Sequence, residues 1–209
     1  PYLHCFCCPP NLVRTVAEIS GWVYSLTETG VAVNLYGSNS LDTHLADGTP
    51  LKLTQQTDYP WDGLVNITIQ ECKDSPFEIL VRVPGWAHDT KVLLNGKDAG
   101  VDIEAGTFAR IERQWKPGDV ITVDMPMQIT LVEGHPRIEE VRNQVAIKRG
   151  PVVYCVESPD LPEGTSILDV YVRGDAPMQV EHRPDFLGGV SVIKGSGLLR
   201  RDKEDGLYR

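Results

Sequence analysis

Nine short runs rich in β-branched residues, each closed within a few positions by a turn signal, leave this chain little choice but a sheet-based fold. They are residues 31–36, 51–53, 65–69, 77–83, 91–94, 108–111, 120–123, 144–147 and 152–156. Several alternate apolar with polar side chains, as a strand with one face on a core and one in water must. Ala46-Asp47-Gly48, Asn95-Gly96 and Lys116-Pro117-Gly118-Asp119 supply the chain reversals between them. Many short strands at this spacing predict an all-β fold, an antiparallel β-sandwich of jelly-roll-like type. Beyond Ser158 the pattern is broken by Pro159, Pro162, Pro177 and Pro184, with residues 167–172 and 189–193 as further strand candidates. The acidic and basic run Arg200–Asp205 reads as a solvated tail.

The exception stands at the front. From Asn11 to about Leu26, the apolar positions Leu12, Val16, Ile19, Val23 and Leu26 recur at helical spacing. Pro9-Pro10 precedes this stretch, Asn11 reads as its N-cap, and Thr29-Gly30 closes it. One amphipathic helix has an apolar stripe to cover, and nothing downstream looks helical. The partner is expected upstream, which makes this helix the last of a preceding domain. The opening Pro1-Tyr2-Leu3-His4-Cys5 has neither an initiator Met nor the charged and apolar regions of a signal peptide, so the sequence reads as the C-terminal part of a longer protein whose compartment cannot be read. The expected divisions are 1–29 for the remnant of the preceding domain, 30–157 for the sandwich, and 158–209 for additional strands and irregular chain.

Of the 209 residues, 41% are hydrophobic, enough for a core, and the net charge is −9. That charge argues against nucleic acid, whose binding rests on Lys and Arg replacing phosphate counterions. No apolar run approaches the roughly 20 residues that cross a bilayer. A neutral, sugar-like ligand suits such a surface better than a polyanion.

The strongest chemical signal is His4-Cys5-Phe6-Cys7-Cys8-Pro9-Pro10-Asn11. A disulfide framework would spread its cysteines along the chain, whereas here three lie within four positions. Adjacent residues in an extended strand point apart, but a turn before a helix can aim both sulfurs the same way. Thiolates are soft ligands for zinc, and a helix N-terminus and a bound cation both favour the ionised form. A thiolate so placed can also be a nucleophile. The alternative is a set of packed, inert thiols at a domain seam. A whole metal site cannot be built from this chain, which offers no second C-x-x-C or H-x-x-H. Cys72 and Cys155 read as small buried apolar residues.

Cys5-x-Cys7-Cys8-Pro9-Pro10-Asn11-x-x-Arg14 resembles the end of the catalytic domain in glycoside hydrolase family 127, the DUF1680 group that includes β-L-arabinofuranosidases. The resemblance runs on through Asn34-Leu35-Tyr36, Thr57-Asp58-Tyr59-Pro60-Trp61, Arg82-Val83-Pro84-Gly85-Trp86, Asn95-Gly96, Trp115–Asp119 and Arg149–Tyr154. In order, these cover roughly residues 1–157. The resemblance implies an upstream (α/α)6 barrel, of which the leading helix is left over, followed by β-sandwich domains. It implies a retaining exo-glycosidase acting on plant sugars (pectic, arabinan or glycoprotein), with Zn2+ held by a glutamate and three cysteines. By motif position Cys7 matches the nucleophile and a zinc ligand, and Cys8 a second zinc ligand; Cys5 matches a family cysteine to which no role is carried over. The acid/base glutamate and the remaining ligands would lie upstream, so this chain alone is expected to be inactive.

Two other readings compete. One is a non-catalytic sandwich for carbohydrate binding or subunit association, with a homodimer through its sheets. The other is a scaffold that props the barrel. Tyr59, Trp61 and Trp86 could stack on sugar, although such residues more often fill a sandwich corner. Asp58, Asp62 and Glu71 read as solvated acids, and His88 and His135 have no partner ligand at usable spacing. His4 could orient the cysteine turn, and Arg14 could ion-pair near it.

Overall fold

A computed structural model describes residues 6–199. The chain divides into two units, Pro1–Met127 and Gln128–Arg209. Helix α1 (Cys8–Glu18) opens the first and runs into a single 3-10 turn, Ile19–Gly21. Ten strands follow: β1 (Tyr24–Leu26), β2 (Gly30–Val33), β3 (Asn39–His44), β4 (Pro50–Thr57), β5 (Leu64–Cys72), β6 (Pro76–Arg82), β7 (Lys91–Leu94), β8 (Lys97–Asp98), β9 (Phe108–Gln114) and β10 (Val120–Asp124). They form a four-stranded sheet in the order β1-β2-β6-β9 and a six-stranded sheet in the order β3-β4-β5-β10-β7-β8.

The period-2 pattern decides what lies between the sheets. Val31 and Val33, Leu51 and Leu53, Val65, Ile67 and Ile69, Ile79 and Val81, and Ile121 and Val123 are all fully buried in one shared core. Each such side chain contributes roughly 1.5–3 kcal/mol by leaving water. Trp115, just past β9, is the bulkiest of the buried residues.

The structure departs from the sequence expectation in four respects. Helix α1 begins at Cys8 rather than Asn11, because Pro9 and Pro10 sit in the first turn, where backbone N–H groups have no intrahelical acceptor to lose. It also ends early. From Tyr24 the chain is a strand, and residues 24–26 pair antiparallel with residues 31–33, so sheet hydrogen bonds override the helical spacing of Val23 and Leu26. The sheets are antiparallel except at one place, since β2 runs parallel to β6. Neither lone cysteine is buried as expected: Cys72 is half-buried, and Cys155 lies just beyond its strand and is exposed.

The sequence reading carried the sandwich to residue 157, whereas the contacts divide the chain at Met127. In the second unit β11 (Ile129–Glu133), β12 (Val145–Arg149) and β13 (Val152–Tyr154) make their own antiparallel meander. Then come β14 (Val170–Tyr171), β15 (Met178–Arg183), β16 (Val190–Gly195) and β17 (Leu198–Leu199), paired as β14 with β17 and β15 with β16. Among the described residues this unit contributes nothing to the hydrophobic core, and Val153, Leu168 and Leu187 stand 64%, 86% and 81% exposed. None of the described helices is long and apolar enough to cross a membrane.

Candidate functional site

Cys7 is the N-cap of α1 and makes no side-chain capping bond, while Cys8 is the first helical residue. The first helical hydrogen bond runs from the Asn11 N–H to the Cys7 carbonyl, at 3.2 Å. This turn does what an extended strand could not. It holds the two sulfurs 3.4 Å apart, both exposed. Two sulfurs on one tetrahedral zinc, with bonds of about 2.3 Å, lie about 3.8 Å apart, so the pair fits two ligand positions of such an ion. Among the described residues no group of three or more His, Cys, Asp and Glu could hold a metal. Cys5 and His4 lie outside the described residues. Arg14 reaches back to Asn11, Nη1 donating to Oδ1 at 3.1 Å, and so steadies the first turn.

No residue of α1 is buried, and Leu12, Val13 and Val16 are 65–68% exposed. The helix leads through its 3-10 turn into the β1–β2 hairpin, which side chains fasten to the other strands at two places. On one side Tyr24 donates to Asn39 Oδ1 at 2.5 Å and receives a bond from Gln55 Nε2 at 2.8 Å. On the other, Thr27 and Thr29 donate to Glu78 Oε1 at 2.9 and 2.6 Å, and Arg110 Nε meets Glu78 Oε2 at 2.9 Å. Gly30 permits this closeness, because a Cβ there would run into the Glu78 carbonyl. The sequence reading passed over Glu78, Tyr24 and Gln55. An acid inside an otherwise apolar strand, Phe77-Glu78-Ile79-Leu80, was the signal available.

The hydrogen bonds from Thr29 first, then from Thr27, together with the Arg110 charge, hold the Glu78 carboxyl below the usual glutamate range, against burial that pushes it up. Its folded value therefore lies under the unfolded value of about 4.3, so the carboxylate stabilises the fold above about pH 4.3 and loses that contribution as pH falls through the lower folded value. Glu78→Gln is expected to unfold more easily than the parent chain at pH 7. The gap should narrow as pH falls below about 4.3 and close once the carboxyl is protonated in the folded chain too, which denaturant titrations from pH 7 downward will read.

The aromatic residues sit at a sandwich corner. Tyr36, Tyr59 and Trp86 pack against the core, the two tyrosine rings meeting edge-on at 6.0 Å. Tyr36 donates to the Arg82 carbonyl, and burial, with the neighbouring Tyr59, pushes its phenol well up. His88 and His135 are exposed, as are Asp58, Asp62 and Glu71.

Comparison with known proteins agrees with this architecture. Residues 30–127 match the family model described as the middle domain of GH127 β-L-arabinofuranosidase, and residues 129–188 match the C-terminal domain of glycoside hydrolase family 127. The non-reducing end β-L-arabinofuranosidase of Bifidobacterium longum is 30% identical over 96% of this chain, which spans 31% of that enzyme. A solved glycoside hydrolase superposes over the whole chain with a TM-score of 0.91 at 37% identity. A GH127 β-L-arabinofuranosidase from Geobacillus stearothermophilus T6 does so at 0.89 and 34%. The chain spans 35% and 33% of those two proteins, about a third of each relative. With two successive domain models matched, and the sandwich shared throughout with solved relatives, this chain belongs to glycoside hydrolase family 127.

Proposed function

We propose that this chain is the C-terminal part of a retaining glycoside hydrolase that removes β-L-arabinofuranosyl groups from plant polysaccharides or glycoproteins, with Cys7 as its nucleophile. The observation that carries the reading is the exposed Cys7–Cys8 sulfur pair, 3.4 Å apart at the head of α1. The exposed stripe of Leu12, Val13, Val16 and Ile19 is where the catalytic domain would pack.

Cys7 would attack the anomeric carbon as a thiolate, breaking the glycosidic bond and forming a thioglycosyl-enzyme. A carboxylic acid from the catalytic domain would protonate the leaving oxygen. The resulting carboxylate would take a proton from water, whose oxygen displaces Cys7, so that two inversions give net retention. Cys7 and Cys8 would hold zinc together with ligands outside this chain. When bound, the ion supplies a positive charge that keeps sulfur ionised, at some cost in nucleophilicity. Cys8 has no covalent part in this scheme; it would orient its neighbour.

Metal analysis tests the reading. The full-length enzyme is expected to carry one zinc per chain, falling to near zero in Cys8→Ala, and the isolated 209-residue chain is expected to bind none tightly and to hydrolyse nothing. A Cys8→Ala enzyme with undiminished zinc would overturn the assignment of the pair.

A further inference from the structure

We propose that the groove beside β9 binds the uronic-acid residues of an acidic glycan, with Arg110, Arg113 and Lys116 receiving their carboxylates. The inference rests on the reading of this chain as part of a glycoside hydrolase, and it names a substrate feature which that reading leaves open. The groove has a volume of about 870 Å³, walled by residues 110–114 and Lys116 on one side and by Leu94 and residues 99–101 on the other. Small-molecule sites run from roughly 300 to 1,000 Å³, so a short run of sugars fits.

The charge of the groove is opposite to that of the chain. The whole sequence carries −9, and a neutral glycan suits the surface at large. Here, however, the lining holds three cationic side chains and one acid, Glu112. The two other acids nearby are turned inward, Glu78 and Asp119 having side chains 7% and 11% exposed. Glu78 is taken up by Thr27, Thr29 and Arg110, and Asp119 by the Asn95 amide and the Lys116 N–H. An anion arriving from solvent therefore meets mainly cations.

Both arginines are held in place before any ligand arrives. Glu78 Oε2 fixes Arg110 Nε at 2.9 Å, and Glu112 meets its Nη2 at 3.0 Å. Arg113 lies over Trp115, its guanidinium 5.5 Å from the ring centroid; its Nε donates to the Gln114 carbonyl at 3.2 Å, and Nη2 is 3.8 Å from Asp119. A guanidinium already ordered loses little further freedom on binding, and its planar fork matches a carboxylate. The two residues are rooted about 10 Å apart along the strand and leave it on opposite faces. They suit two carboxylates on one chain better than a single shared one, and the second contact, being intramolecular, strengthens the first.

Calorimetric titration of the 209-residue chain with trigalacturonate at low salt tests the proposal. One site is expected, with monomeric galacturonate about tenfold weaker or more and neutral arabinotriose giving no binding. Lys116→Glu changes an exposed side chain, and Arg113→Gln with Lys116→Gln removes two cations. Each should weaken trigalacturonate about tenfold or more. Lys116→Glu should keep the parent melting temperature, so its effect is read free of any loss of the Arg113 cover on Trp115. Cys7→Ser should bind as the parent does, because the groove uses neither that sulfur nor the catalytic domain. A chain that binds no trigalacturonate up to about 1 mM would overturn the groove assignment while leaving the role of Cys7 untouched. So would arabinotriose or inorganic sulfate binding as well as trigalacturonate, or a Lys116→Glu chain of unchanged affinity.

Discussion

Cys7→Ser in the full-length enzyme is expected to lower kcat on an aryl β-L-arabinofuranoside by at least about 1,000-fold, the scale seen when a covalent nucleophile is removed. The substitution separates chemistry from folding cleanly. Cys7 is the N-cap of α1 and makes no side-chain capping bond, whereas serine is among the preferred residues there. The helix should therefore be at least as stable in the variant. What is lost is the sulfur that the proposed mechanism uses as its nucleophile, because a serine hydroxyl is a far weaker nucleophile at neutral pH and would be a poor ligand for the proposed zinc. Lost turnover with an unchanged melting temperature is the expected pair of results. Hydrolysis at the parent rate would end the case for Cys7, whatever became of the fold.

Trp115→Ala is expected to cost roughly 3–5 kcal/mol, a large share of the 5–15 kcal/mol typical of a whole domain. Trp115 is 1% exposed, donates from Nε1 to the Phe77 carbonyl at 2.9 Å, and lies 6.0 Å from the Phe77 ring. Arg113 covers it from outside, its guanidinium 5.5 Å above the ring. Truncation leaves a large void and removes the side-chain hydrogen bond to the Phe77 carbonyl at once. Trp115→Phe fills most of the void but not the hydrogen bond, and should cost about 1–3 kcal/mol. Denaturant unfolding followed by circular dichroism gives both numbers; a loss under about 1 kcal/mol for the alanine variant would contradict the core described here.

How far the fold could be read in advance follows from what each strand had to do. Residues 64–72, 76–82 and 120–124 bury one face in the core, and that requirement writes a period of two into their side chains. Strand β3, Asn39-Ser40-Leu41-Asp42-Thr43-His44, was missed because it is an edge strand with no fully buried side chain; its partner β4 holds it by backbone bonds that any side chain permits. The helix was recognised and its ends misplaced, since the cost of proline depends on which N–H groups have acceptors. The site was half legible. Adjacent cysteines before Pro-Pro signalled a close pair of sulfurs, while Glu78, fixing the hairpin from 51 residues beyond Thr27, had no pattern to betray it.

Local chemistry, then, wrote the sheet-forming runs, the turns between them and the sulfur pair directly into the order of residues, because hydrophobic period and turn geometry act over a few positions. Three features arose from chain segments far apart in sequence meeting in space: the parallel pairing of β2 with β6, the clasp of Thr27, Thr29 and Arg110 on Glu78, and the place of β9 at the end of its sheet among the described residues. Whether a strand is central or last in its sheet, and whether an acid is solvated or clasped, depends on neighbours supplied by folding, and no short window of sequence contains them.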